Sequence, residues 1–226
     1  MSALIHAWDL SIREAIDLQK KIAALVERED RHPALRTIAG VDVAYGRRGK
    51  SATARGAAVL FDFETLNVVD QAAVEVATTF PYVPGLLTFR EAPAAIAAVG
   101  ALATVPDLLI CDGQGIAHPR RCGVASHLGL VLDLPSIGAA KSRLIGSHEE
   151  PAADRGAWTS LVNEGEIVGA CLRTRSNVSP IYVSIGHRIC LSRAIRLVMR
   201  FSIGFRLPEP TRLADKLSRN PRSLTH

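Results

Sequence analysis

A chain of 226 residues with 48% hydrophobic and 22% charged residues matches an ordinary soluble α/β protein, and its apolar runs fall short of a membrane span. No basic and then apolar leader opens it and no Pro/Ser/Gly linker divides it, so one cytoplasmic domain over residues 1–226 is expected, with no membrane contact. The net charge of +5 gathers at one end: Arg188 to His226 holds nine Arg or Lys against Glu209 and Asp215, a net +7, which leaves −2 in the first 187 residues and favours a polyanionic partner.

Ser11 to Asp30 reads as an amphipathic helix capped by Ser11, with Glu14 three residues on. Thr37 to Tyr45 is a strand with Asp42 at its middle, and Arg55 to Phe63 and Asn67 to Ala77 continue it as an antiparallel meander, since no helical period separates them. Pro81-Tyr-Val-Pro84 is a stiff, extended projection that either presents Tyr82 as a wedge or packs it back on the core. Thr88 is placed to cap a helix running to about Ala103, with Glu91 as its capping-box partner or as a functional acid.

Leu108 to Cys111 is a short buried strand delivering Asp112 into a glycine-rich loop, because Gly113 and Gly115 would break a helix within a turn; the same stretch also reads as a strand ending in a solvated turn. A helix from Arg121 to Asp133 and a strand from Ser136 to Ala140, ending at Lys141, imply a parallel addition to the sheet. Leu161 to Arg173 is a hairpin turning at Glu164-Gly165-Glu166, and Ile181 to Ile185 is a strand that gives way at Gly186-His187 to a helix. In that helix Arg193, Arg196 and Arg200 form a ridge, either for phosphate contact or as a solvated face. The cysteines Cys111, Cys122, Cys171 and Cys190 include no CxxC pair and are expected as reduced core residues rather than a zinc site or a disulfide framework.

The meander followed by βα units would bring Asp42, Glu91 and Asp112 together. Such a cluster carries a Coulomb cost that a divalent cation removes, and hard oxygen ligands favour Mg²⁺, with Mn²⁺ as a substitute. Lys141 at the next strand end would neutralise a phosphate or orient the nucleophile, which points to phosphodiester chemistry; the alternative, a protein that binds nucleic acid without cutting it, has no need of carboxylates beside phosphates.

With these residues in view, the chain resembles the endonuclease V family. The stretches that carry the likeness are Gly40-Val-Asp42, Pro81-Tyr-Val-Pro-Gly-Leu-Leu-Thr-Phe-Arg-Glu91, Asp112-Gly-Gln-Gly-Ile-Ala-His-Pro-Arg120, Ala140-Lys-Ser-Arg-Leu144, Gly186-His187 and Leu207-Pro-Glu-Pro-Thr-Arg212. The resemblance implies a ribonuclease H-like α/β fold, with a mixed central sheet flanked by helices. It also implies a repair activity that cuts DNA at deoxyinosine, at the second phosphodiester bond 3′ to the lesion, with inosine-containing RNA as the alternative substrate and no nucleotide cofactor. Carried over by position, Asp42, Asp112 and Glu91 would hold the metal or its water, and Lys141 and His187 would complete the catalytic site. Tyr82, within Pro81, Val83 and Pro84, would be the wedge. Gly85, Leu87, Gly113 and Gly115 would line the hypoxanthine pocket, the last two through backbone amides. His118 would cover the base or its sugar, with Arg90 and Arg121 as phosphate contacts.

Overall fold

The computed structural model describes residues 4–31, 34–45 and 53–220; Arg222, counted above in the basic C-terminal end, lies outside them. Strands β1 (Thr37–Tyr45), β2 (Thr53–Asp62) and β3 (Val68–Ala77) form the antiparallel meander. β4 (Leu109–Cys111) and β5 (Ser136–Ala140) add to β1 in parallel, with Val41 beside Cys111 and Cys111 beside Gly138. Beyond them β6 (Trp158–Asn163), β7 (Glu166–Leu172) and β8 (Ile181–His187) are antiparallel, giving one eight-stranded sheet in the order β3-β2-β1-β4-β5-β8-β7-β6. The hairpin between β6 and β7 turns on Glu164 and Gly165, both at positive φ.

Helices cover both faces. α2 (Leu87–Gly100) and α3 (Val124–Leu132) pack Ala92, Ala95, Ala98 and Leu128 on Ala39, Val41, Leu109 and Cys111. α4 (Leu191–Phe201) and α5 (Glu209–Arg219) pack Val198, Phe201 and Leu217 on Ile38, Ile110, Ile137 and Val183. The strand period of two then fixes where the acids go. On β1, Ala39 and Val41 face α2 and α3, so Asp42 shares the other face with Ile38; on β4 the same alternation puts Asp112 on the side of Ile110. α5 is able to lie close because residue 40 is glycine: a Cβ there would stand 2.0 Å from the Pro210 carbonyl carbon.

Three helix boundaries depart from the sequence reading, and one helix lies outside it. α1 (Ile12–Ala23) keeps the Ser11–Glu14 capping box but ends before Asp30, because the chain leaves the helix to dock on the end of β8, where Arg188 N–H donates to the Glu27 carbonyl at 2.7 Å. Thr88 is not a cap: α2 begins at Leu87, and the buried Thr88 hydroxyl faces His127 Nδ1 at 3.1 Å. α3 begins at Val124, after a turn through Arg121 at positive φ. The helix α5, which the sequence reading did not foresee, starts on Pro208 and Pro210, prolines that suit a first turn, where no N–H is required. Among the described residues no helix is long and apolar enough to cross a membrane.

Candidate active site

At the edge of the sheet where β1 and β4 deliver their acids, α5 supplies a third. Asp42, Asp112 and Asp215 each offer a carboxylate oxygen, and these oxygens lie within 4.8 Å of one another. Five helical residues from Pro210 to Asp215 rise about 7.5 Å, matching the roughly 6.6 Å that two strand residues span from Gly40 to Asp42. The Ser218 hydroxyl, one helical turn past Asp215, donates to Asp42 Oδ2 at 2.6 Å. Lys141 Nζ lies 2.7 Å from Asp112 Oδ2 and 3.4 Å from Asp215 Oδ1, and Arg219 meets Asp215 at 3.0 Å.

The trio is electrostatically strained. Burial, then the charges of Asp112 and Asp215, push Asp42 up to about 6 against the bond from Ser218 and the pull of Lys141. Burial opposes the charge of Lys141 as well, yet its contacts with Asp112 and Asp215 hold its pKa above the usual value. Three clustered carboxylates with only oxygen to offer fit a hard divalent cation, whose charge would relieve that strain. Glu91 stands beside the trio rather than in it. Burial, with Asp42 as the next cause, pushes it up to about 8, and the Tyr45 hydroxyl donates to its Oε1 at 3.4 Å.

Next to Asp112 is a cavity of about 360 Å³. Tyr82, Val83, Pro84, Gly85 and Leu87 form one wall and Asp112, Gly113 and His118 another, with Lys141 on the rim; Pro81 is not in the lining. Tyr82 is 71% exposed, so the projecting alternative holds. Its loop is closed by a turn in which Leu86 N–H donates to the Val83 carbonyl at 2.9 Å, and Gly85 takes a φ of +79°. His118 Nε2 donates to the Gly85 carbonyl at 3.0 Å while its Nδ1 accepts from Arg120 N–H at 3.1 Å. Burial pushes the His118 pKa down to about 4, so the ring is neutral and ties the glycine loop to the wedge loop.

Other expected residues go elsewhere. Gly115 is not in the cavity lining: its amide donates to Ser184 Oγ at 2.8 Å, and a Cβ on it would stand 1.9 Å from the Ile185 carbonyl oxygen, so the glycine serves contact with β8 rather than a base. His187 pairs with Ser136 at the start of β5, four residues and about 13 Å of strand away from Ala140. There it accepts the Glu27 N–H at 3.2 Å, and burial pushes it down to about 4. The guanidinium of Arg90 stacks 4.5 Å over the Tyr45 ring and donates to the Phe80 carbonyl, and Arg121 is bound by Glu166 at 2.7 Å. On the basic helix, Arg200 donates to the Phe63 carbonyl at 2.8 Å, beside the start of β1 and away from the acids.

Asp215 is the residue sequence reasoning missed. A signal was available, since Pro-Glu-Pro fits a helix start and an acid and a serine three residues apart then share a face.

Comparison with known proteins bears on this geometry. The family model described as endonuclease V matches residues 18–216. An endonuclease V of Roseiflexus is 54% identical over 95% of either chain. The crystal structure of endonuclease V from Streptomyces avermitilis superposes with a TM-score of 0.89 at 42% identity, covering 95% of this chain and 94% of that one. Endonuclease V of Ciona intestinalis, in complex with a 23mer DNA containing an inosine followed by a ribo-adenosine, superposes with a TM-score of 0.81 at 26% identity, covering 93% of this chain and 96% of that one. With its eight-stranded mixed sheet between helices and matches over nearly its full length, the chain belongs to the endonuclease V family.

Proposed function

We propose that this protein is one metal-dependent catalytic domain, acting in the cytoplasm in DNA repair, that recognises deoxyinosine and hydrolyses the second phosphodiester bond on its 3′ side to leave 3′-hydroxyl and 5′-phosphate ends. The observation that carries the reading is the meeting of three carboxylates with a cavity that has an exposed tyrosine on its lip, Asp112 belonging to both. Asp42, Asp112 and Asp215 would hold Mg²⁺ or Mn²⁺, which when bound neutralises phosphate charge and makes water a better nucleophile. Ser218 holds Asp42 in orientation. Lys141 balances the acids and stands where a phosphate oxygen can meet its ammonium group. Glu91, buried beside the trio with a raised affinity for a proton, would hold that proton next to the metal or its water.

Tyr82 would enter the base stack and leave the extruded base to the cavity. Hypoxanthine has no exocyclic amino group, so a narrow pocket admits it where the 2-amino group of guanine would collide. The bond between His118 and the Gly85 carbonyl keeps that pocket narrow. The reading is tested with matched oligonucleotides carrying deoxyinosine in DNA, inosine in RNA or neither, incubated with Mg²⁺ and mapped for cut positions. A cut two bonds 3′ of deoxyinosine supports it; uniform cutting, or cutting of inosine in RNA alone, overturns it.

A further inference from the structure

A second cavity, of about 740 Å³, begins at Lys141 and is bounded by the loop after β5, the connection from β7 to β8 and the segment between α4 and α5. Its floor is made of two arginines held by backbone carbonyls. Arg173, 8% exposed, donates to the carbonyls of Ala152, Pro151 and Val178 at 2.7, 2.9 and 2.6 Å and meets Glu150 at 2.6 Å. Arg206 donates to the carbonyls of Lys141 and Pro180 at 2.7 and 2.8 Å, and its Nε is buried with no partner. Carbonyl dipoles fix a guanidinium in place without cancelling its charge. Arg143, exposed at the rim, has no ion pair among the described residues. With Glu150 paired to Arg173 and Lys141 held by Asp112 and Asp215, Arg143 and Arg206 are the lining cations that no carboxylate meets among the described residues.

The two cavities share Lys141, Ser142 and Arg143, so the loop after β5 is a ridge between them, with the acids at its foot. A strand whose base enters the first cavity and whose next phosphates reach the acids meets this ridge and continues beyond it. We propose that the basic groove is the track for the nucleotides 3′ of the cut, Arg143 taking a phosphate at the rim and Arg206 lending its uncancelled charge beneath it, with Ser179 and Asn177 standing beside the sugars. Its volume falls within the roughly 300–1,000 Å³ of ligand clefts, enough for a short run of a single strand. This inference rests on the 3′ cutting polarity proposed above.

The test uses two labelled deoxyinosine strands, one ending a nucleotide past the expected cut and one carrying about eight more. With the wild-type protein and Mg²⁺ the tailed strand should have the lower KM. Ser179→Glu should raise KM for the tailed strand roughly five- to tenfold and leave the short strand and kcat unchanged, and Arg143→Ala should lower the salt slope of tailed-strand binding by about 0.7, the value of one single-strand phosphate contact. Equal losses on both strands, or no loss on either, would overturn the groove. If the wild-type protein cuts neither strand, the functional reading fails by itself. The groove is then decided by anisotropy with tailed strands lacking inosine: binding weakened by Ser179→Glu supports it, and unaffected or absent binding overturns it.

Discussion

The two edges of the sheet treat charge in opposite ways. At the edge holding the end of β8, Arg188 meets Asp133 at 2.6 Å and Glu27 at 3.3 Å, and Arg31 adds a second partner to Glu27 at 3.2 Å, so cations and acids balance. At the other edge Asp42, Asp112 and Asp215 gather around Lys141 and Arg219 with Glu91 beside them, and two of the acids are pushed to proton affinities far above their ordinary values. Paired charge is architecture, whereas charge left in conflict by burial marks a site that awaits a ligand.

The largest effect should come from exchanging the two edges' loss. Asp112→Ala or Asp215→Asn should cut the cleavage rate by at least ~10²–10³-fold while the protein stays folded. Arg188→Ala should do the reverse, costing roughly 1–3 kcal/mol of stability by leaving Asp133 unpaired and Glu27 with Arg31 alone, with the rate per folded molecule unchanged. Single-turnover rates beside denaturant melts separate the two, and matching phenotypes would erase the distinction.

The pH dependence sharpens the comparison. Asp42 and Glu91 bind their protons more tightly folded than unfolded, so their stabilising contribution is full below about pH 4 and is lost as pH rises through about 6 for Asp42 and about 8 for Glu91. In metal-free protein, Asp42→Asn should therefore raise stability at pH 8 by roughly 1–3 kcal/mol, a few degrees in Tm, and leave it nearly unchanged at pH 4. Destabilisation at pH 8 would show that the acids are not in conflict.

Smaller changes probe recognition. Tyr82→Ala should lower discrimination between deoxyinosine and normal DNA by roughly tenfold, with metal affinity unchanged; unaltered selectivity removes the wedge. The least effect is expected from replacing Arg193, Arg196 and Arg200 together. Because Arg200 is engaged by the Phe63 carbonyl and ring, the salt slope of binding should stay nearly constant, and a slope lower by two or more would return that helix to the nucleic-acid interface.

The half of the site that depends on strand periodicity was legible in the sequence. Apolar runs bounded by turns located β1, β4 and β5, and the meander-then-βα order they imply brought Asp42 and Asp112 to neighbouring strand ends. What depends on long-range packing was not. His187 does follow a strand, but sequence order does not state which edge an antiparallel strand ends on, and β8 runs away from the acids. Gly115 looked like a loop glycine shaped for a ligand because nothing local announces the β8 backbone against it. Asp215 was missed because no element was read after the basic helix, whereas Pro208 and Pro210 begin one more helix there.

The most direct measurement is calorimetric titration of Mn²⁺ into the wild-type protein, Asp215→Asn and Arg188→Ala at pH 7.5. Asp215→Asn should weaken binding by at least ~10-fold, the least that loss of a metal's immediate partner costs, and Arg188→Ala should bind as the wild type does. Wild-type affinity in Asp215→Asn would contradict a metal site built from three acids at one edge of the sheet.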